Sequence, residues 1–419
     1  MKISEKIQEF ILKEAVESFL RYVKVWTTSD EMSSTYPTTT NQLELGELLS
    51  NELKELGLEK IVHDKYGYVY ARLPASKGYE ETDEIGLLAH LDTSSAVSGK
   101  DVNPIIHENY QGGKISLPKV PDLYISPEDS PQLLEYKGLD IITSEGDTLL
   151  GADNKAGIAE IMAACAAWKE FPELVHGPIT ICFTPDEETG KGMQKVDKSK
   201  LPKLCYTFDG GEMGELEYEC FDAWLVSATF KGLSVHTGHA KNILINAIHI
   251  ASRFLSEIPE FQSPEHTEER EGFYHLMTLE GNTEKAVFRM LLRDFDEVGN
   301  QNRMEYLKKL KDVFESRYPD LQIELSFLHQ YLNMLRFIEK EEKLINLAKK
   351  AIEKTGLEVK IHSIRGGTDG ARLSEMGIPT PNLFAGGLMF HSRKEYIPTL
   401  ALQKATEVIL YLMDLWASN

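Results

Sequence analysis

Between Ile181 and Gly192 the chain reads ICFTPDEETGKG, with three carboxylates in a row at Asp186, Glu187 and Glu188. Adjacent acids repel one another, so a cation or a proton must offset them where they meet a folded core. Other groups able to share a cation stand at comparable places. LLAHLDTSS ends an apolar run with His90 and Asp92, and TLLGADNKAG puts Asp153 where a helical pattern begins. CYTFDGGE ends another run with Asp209, and NLFAGGLMFHSRKEY carries His391 after a glycine turn. Imidazole and carboxylate together make a donor set suited to zinc, manganese or cobalt. Taken singly, each has an ordinary alternative. His90 fits a hydrogen-bonded core histidine, Asp153 an N-cap, Glu187 with Glu188 a solvated turn, Asp209 a turn acid and His391 a loop residue. Five such placements at strand ends or helix starts point jointly to metal.

The elements that must position them follow an α/β pattern. Apolar positions recur at helical spacing over 4–23 and 43–56, and a further helix is expected at 154–171. Short apolar runs at 85–90, 178–184 and 203–208 read as strands of a mixed, mostly parallel sheet. In such open sheets the carboxyl ends of the strands converge on the ligand crevice. From residue 221 the order changes to strand (221–230), helix (243–258), two strands, helix (300–317) and strand (321–327). That β-α-β-β-α-β order is ferredoxin-like. The α/β pattern then resumes with a helix near 340–355, a strand at 357–361 and a closing helix near 399–416. The expected organisation is a catalytic α/β domain in two segments, 1–220 and 333–419, with an α+β domain inserted at 221–332.

Composition narrows the function. The chain has 419 residues and a formal net charge of -21; its pI is near 5.1. Nucleic acid and anionic membrane are therefore not expected partners. No apolar run approaches the roughly 18 residues of a membrane span. The start, MKISEKIQEFILKEAVESFL, has no uncharged core of a secretion signal. Cys165, Cys182, Cys205 and Cys220 show no CxxC spacing, which fits reduced thiols and a cytoplasmic setting.

HLDT, GADNKAG, FTPDEETGKG, YTFDGGEMGELE, RGGTDGA and the late histidine resemble the M20 family of co-catalytic zinc peptidases. GKDVNPIIHENYQGG and EGFYHL narrow the resemblance to its tripeptide aminopeptidases, over nearly the whole length. The resemblance implies a zinc-exopeptidase-like domain holding two divalent ions, zinc before manganese or cobalt, and an inserted lid. Position by position it implies that His90, Asp153 and Asp209 bind one ion while Asp153, Glu188 and His391 bind the other. Asp92 would orient His90, and Glu187 would be the general base. His236, in GLSVHTGHAKN, would stabilise the oxyanion, brought to the site by lid closure or by a partner subunit. Nearby His239 reads as a surface residue. Arg293, Asn333 and Arg365 would read the substrate carboxylate, for which a planar guanidinium is suited. Asp186 receives no role beyond capping or bracing its turn.

Five positions depart from the family pattern: Asn154, Thr237, Leu332, Ser392 and Lys394. None is an implied ligand, and several lie where substrate would be read. The expected activity is removal of the N-terminal residue from tripeptides. A related dipeptidase or N-acyl amino acid deacylase is the alternative, followed by a metal- or peptide-binding protein without turnover, against which Glu187 argues. A small peptide is the expected partner, with a homodimer through the lid as the candidate assembly.

Overall fold

Spacing explains the first helix. Ile7, Ile11, Ala15 and Phe19 recur every four residues along Glu5–Tyr22 and form a buried stripe, while the Ser4 side chain accepts from the Ile7 N–H at 3.4 Å. Fully burying Ile11 and Phe19 stabilises the fold by roughly 1.5–3 kcal/mol each. In the computed structural model, which describes residues 2–418, this helix packs against Ala152–Glu170 and Thr399–Ser418. Ala152–Glu170 is buried almost all round, because it also lies against the central sheet.

That sheet has eight strands in the order Glu59–His63, Val69–Leu73, Ile179–Thr184, Ile85–His90, Leu204–Gly210, Asn382–Phe384, Glu215–Cys220 and Lys360–Ile364. Ile179–Thr184, Ile85–His90, Leu204–Gly210 and Asn382–Phe384 run parallel, and antiparallel strands flank them. Ile85–His90 and Ile179–Thr184 are buried at every position, as parallel strands covered on both faces must be. Their sequences are accordingly unbroken apolar runs rather than alternating ones. Shared direction has a consequence for chemistry: the last residues of these strands emerge at one edge.

The chain forms two compact units, Met1–Tyr218 with Phe337–His362 and Thr368–Asn419, and Glu219–Arg336 with Ser363–Gly367. Chain order alone attaches Ser363–Gly367 to the second catalytic segment, but its contacts group it with the other unit. In that unit Phe273–Gly281, Lys285–Asp294, Asp222–Lys231 and Gln322–Tyr331 form an antiparallel sheet in this order. Ala247–Leu255 and Glu297–Arg317 cover it, with Phe230, Phe254, Phe288, Leu307 and Phe314 in the core. The ferredoxin-like expectation for this region is met.

Among the element boundaries that differ from the sequence reading, two have a local cause. The helix expected over 243–258 is confined to Ala247–Leu255, since Ile245 is held in a bridge to Leu233 and the Asn246 side chain caps the helix by accepting from the His249 N–H. The strand expected at 357–361 forms over Lys360–Ile364. Gly356 ends the preceding helix at φ +84, and pairing starts only where the Lys360 N–H reaches the Gly214 carbonyl at 2.8 Å.

Candidate metal centre

His90 closes the strand Ile85–His90, and parallel register sets it beside Thr184, so the turn carrying Glu187 and Glu188 emerges next to it. Asp209 lies at the end of Leu204–Gly210, its N–H donating to Asn382 Oδ1 at 3.0 Å. Asp153 occupies the first turn of Ala152–Glu170 with non-helical backbone. His391 sits in a loop in the left-handed region, at φ 57, and is exposed.

His90 Nε2 lies 2.9 Å from Asp153 Oδ1 and 3.3 Å from Asp209 Oδ1. Asp153 Oδ2 lies 3.0 Å from His391 Nε2, which is also 3.0 Å from Glu188 Oε2. The two oxygens of one carboxylate thus face two different imidazoles. Ligand atoms of His90, Asp153 and Asp209 all lie within 4.8 Å of one another, as do those of Asp153, Glu188 and His391.

Asp92, fully buried, ties these pieces together. Its oxygens accept from the Glu187 N–H at 3.0 Å and the Glu188 N–H at 3.2 Å. The same residue faces the other ring nitrogen of His90, whose Nδ1 is 3.0 Å from the Asp92 carbonyl and 3.3 Å from Oδ1. With Nδ1 turned to Asp92, Nε2 is the nitrogen that faces Asp153 and Asp209. Asp186 braces the turn from behind, accepting from the Thr38 N–H at 2.8 Å and the Gln42 side chain at 2.7 Å.

Charge is badly balanced here without a cation. Burial, with neighbouring acids, pushes the Glu187 carboxyl well above its usual range, Glu188 up to about 7 and Asp209 up to about 6. Hydrogen bonds to Asp153 and Glu188 raise His391 to about 10. Burial opposes a charge on His90, yet Asp209, Asp153 and Asp92 outweigh it and hold the ring well above its normal value. Asp153 goes the other way: burial would raise it, but His391 and His90 keep it ionised. Carboxyls raised together in this way are the mark of a site whose charge a dication would offset. The fit of a cation has a second sign. Glu188 Oε1 is buried with no hydrogen-bond partner among the described residues, a state that costs about 1–3 kcal/mol for a neutral acceptor and more for a charged one.

The second unit holds the remaining sequence candidates. His236 is exposed, and its Nδ1 accepts from the Gly238 N–H at 3.1 Å, which places the proton of the neutral ring on Nε2. His239 is likewise exposed, its ring centroid 5.4 Å from that of His236. Arg365 donates to the carbonyls of Glu269 at 2.7 Å and Glu271 at 3.0 Å, and to Thr267 Oγ1 at 3.0 Å. Arg293 is buried and donates to the Leu292 and Trp224 carbonyls. Asn333 is buried too, donating to the Phe295 carbonyl at 3.0 Å and accepting from the Leu335 N–H. All three are engaged within their own unit.

Among the buried acids that escaped the sequence reading, two border this centre. Asp369, within the RGGTDGA motif, accepts from Thr184 Oγ1 at 2.6 Å and is pushed by burial up to about 7. It braces the strand end that precedes Glu187. Glu395 lies in the loop after His391 and is also buried. The usable signal for Glu395 was an acid directly before an apolar run, as in "KEYIP", which local charge patterning does not separate from a solvated turn.

The profile of the peptidase family M20/M25/M40 matches residues 144–415. A protein named Peptidase T from Listeria innocua is 45% identical over 405 residues, covering 96% of this chain and 98% of its own length. The chain belongs to the peptidase T branch of the M20 family. As an M20 peptidase it is a hydrolase. Three solved structures share its fold. Aminopeptidase PepT from Bacillus cereus gives a TM-score of 0.76 at 23% identity, covering 97% of this chain and 99% of that one. A tripeptidase from Staphylococcus aureus gives 0.75 at 20% with the same coverage. A dinuclear metal-binding M20 peptidase from Bacillus subtilis gives 0.65 at 14%, covering 97% and 98%. The α/β fold with a separate antiparallel-sheet unit is therefore that of M20 peptidases.

Proposed function

We propose that this M20 peptidase removes the N-terminal residue from tripeptides with two divalent cations, zinc in the first instance. His90, Asp153 and Asp209 would hold one, and Asp153, Glu188 and His391 the other. The observation that carries this reading is Asp153, whose two oxygens each face a histidine of a different triad. Such cations, when bound, supply charge that acidifies water and polarises a carbonyl. Glu187 then takes the proton of the attacking water and delivers it to the leaving amine. Burial raises its carboxyl, so it holds a proton more firmly than a free glutamate, as a base must. Asp92 fixes the His90 tautomer and the Glu187–Glu188 backbone at once. His236, with its proton on Nε2, supplies a donor to the developing oxyanion.

Arg365, with Arg293 and Asn333 in support, reads the substrate carboxylate in this proposal. Its donors already aimed at the Glu269 and Glu271 carbonyls would have to be shared or redirected. Free buried thiols support a cytoplasmic setting, and among the described residues no helix is long and apolar enough to cross a membrane. Leu276 and Met277, exposed on the edge strand Phe273–Gly281, support a homodimer through this unit.

The test is a metal-reconstituted assay on di-, tri- and tetrapeptides and an N-acyl amino acid. Tripeptides should show the highest kcat/KM, with release of the free N-terminal amino acid. A preference for the acylated compound, or cation loading with no hydrolysis, would overturn the reading.

A further inference from the structure

Glu395 belongs to neither triad, yet its carboxylate holds the backbone of Asp153, the residue the two triads share. Oε2 accepts from the Leu150 and Gly151 N–H groups, each at 2.8 Å, and Oε1 accepts from the Asp153 N–H at 3.0 Å. The residue is 1% exposed, so water does not compete for these bonds. Gly151, at φ +86, turns the chain sharply into the helix Ala152–Glu170, whose first turn carries Asp153. Glu395 captures the N–H groups on both sides of that turn.

Its own position is fixed with equal care. The loop between His391 and Glu395 is closed by Ser392, whose Oγ donates to the Met389 carbonyl at 2.7 Å and accepts from the Lys394 N–H at 3.1 Å. Lys394 Nζ pairs with Asp129 Oδ1 at 2.7 Å. Tyr396, the next residue, is bound in register to Leu388 and Thr143. A short rigid loop therefore carries His391 at one end and Glu395 at the other. The carboxylate of Glu395 ties that loop to the backbone of Asp153, and His391 Nε2 meets the Asp153 side chain 3.0 Å away.

We infer that Glu395 is the positioning residue that sets the distance between the Asp153 carboxylate and His391, and so the cation affinity of the triad they share with Glu188. The inference rests on the two-cation reading above. Residues that orient ligands in this way typically change metal affinity by about 10- to 100-fold when altered. Glu395→Gln is the sharpest variant, since it keeps the shape and replaces one acceptor oxygen by an N–H donor. With the amide oxygen retained by Leu150 and Gly151, a donor would face the Asp153 N–H.

Calorimetric titration of zinc into the metal-stripped protein, beside the melting temperature, tests this without reference to turnover. Wild-type protein should bind two ions. Folded Glu395→Gln should bind one normally and the other about 10- to 100-fold more weakly, and Glu395→Ala should do the same or worse if it folds. Two ions bound to Glu395→Gln with unchanged affinities would overturn the inference alone. A Glu395→Gln protein that fails to fold would assign the residue to fold stability and overturn it too. Wild-type protein that binds no zinc would overturn the two-cation reading together with this one.

Discussion

The two triads share Asp153 but are built differently. In the inner one, His90 and Asp209 stand at the carboxyl ends of neighbouring parallel strands, and the His90 side chain is 2% exposed. In the outer one, Glu188 and His391 stand on a turn and a loop, and the His391 side chain is 46% exposed. Sheet hydrogen bonds fix where His90 and Asp209 stand. The outer ligands depend on added braces: Asp92 and Asp186 for the turn, Ser392 and Lys394 for the loop. The contrast teaches that a ligand on a strand end inherits its precision from the sheet, whereas a ligand on a loop must have it built separately.

The largest effect should come from the residue common to both. Asp153→Ala should lose both cations and bring activity to background, because removing the bridge also leaves two cations with nothing between them. Two ions per chain after dialysis of that variant would break the idea of a shared ligand. Glu187→Ala should lower kcat by about 10²–10⁴-fold while metal content stays at the wild-type value, as the proposed role of a base rather than a ligand requires. Near-normal kcat in the loaded variant would remove Glu187 from that role.

Amidating the C-terminus of a tripeptide should lower kcat/KM by about 10- to 150-fold, the equivalent of one charge-assisted hydrogen bond worth roughly 1.5–3 kcal/mol. Arg365→Ala should then treat acid and amide nearly alike. Equal kcat/KM for both forms in the wild-type enzyme would show that specificity comes from the shape of the site. Smallest of all is the difference between the triads themselves. His391→Ala should release one ion and keep the other, and a chelator should remove the outer ion from wild-type protein first. Simultaneous release of both ions would mean that the inner triad gains no advantage from its sheet.

Much of this protein was legible in its residues. The unbroken apolar runs at 85–90 and 178–184 announce parallel strands, and the β-α-β-β-α-β order announces the second unit, because burial on two faces and alternating periodicity are local patterns. The acids and histidines were legible as candidates for the same reason: each stands where a local pattern ends. Their partnership was assigned by resemblance, since a short motif carries no information about distance. Tertiary structure alone decided that His391 meets Asp153 across 238 positions of sequence. It alone decided that Asp92 serves His90 and the Glu187 turn together, and that Glu395 gathers the N–H groups around Gly151. Parallel register and loop closure create those meetings through hydrogen bonds between distant segments, and no property of either segment by itself specifies them.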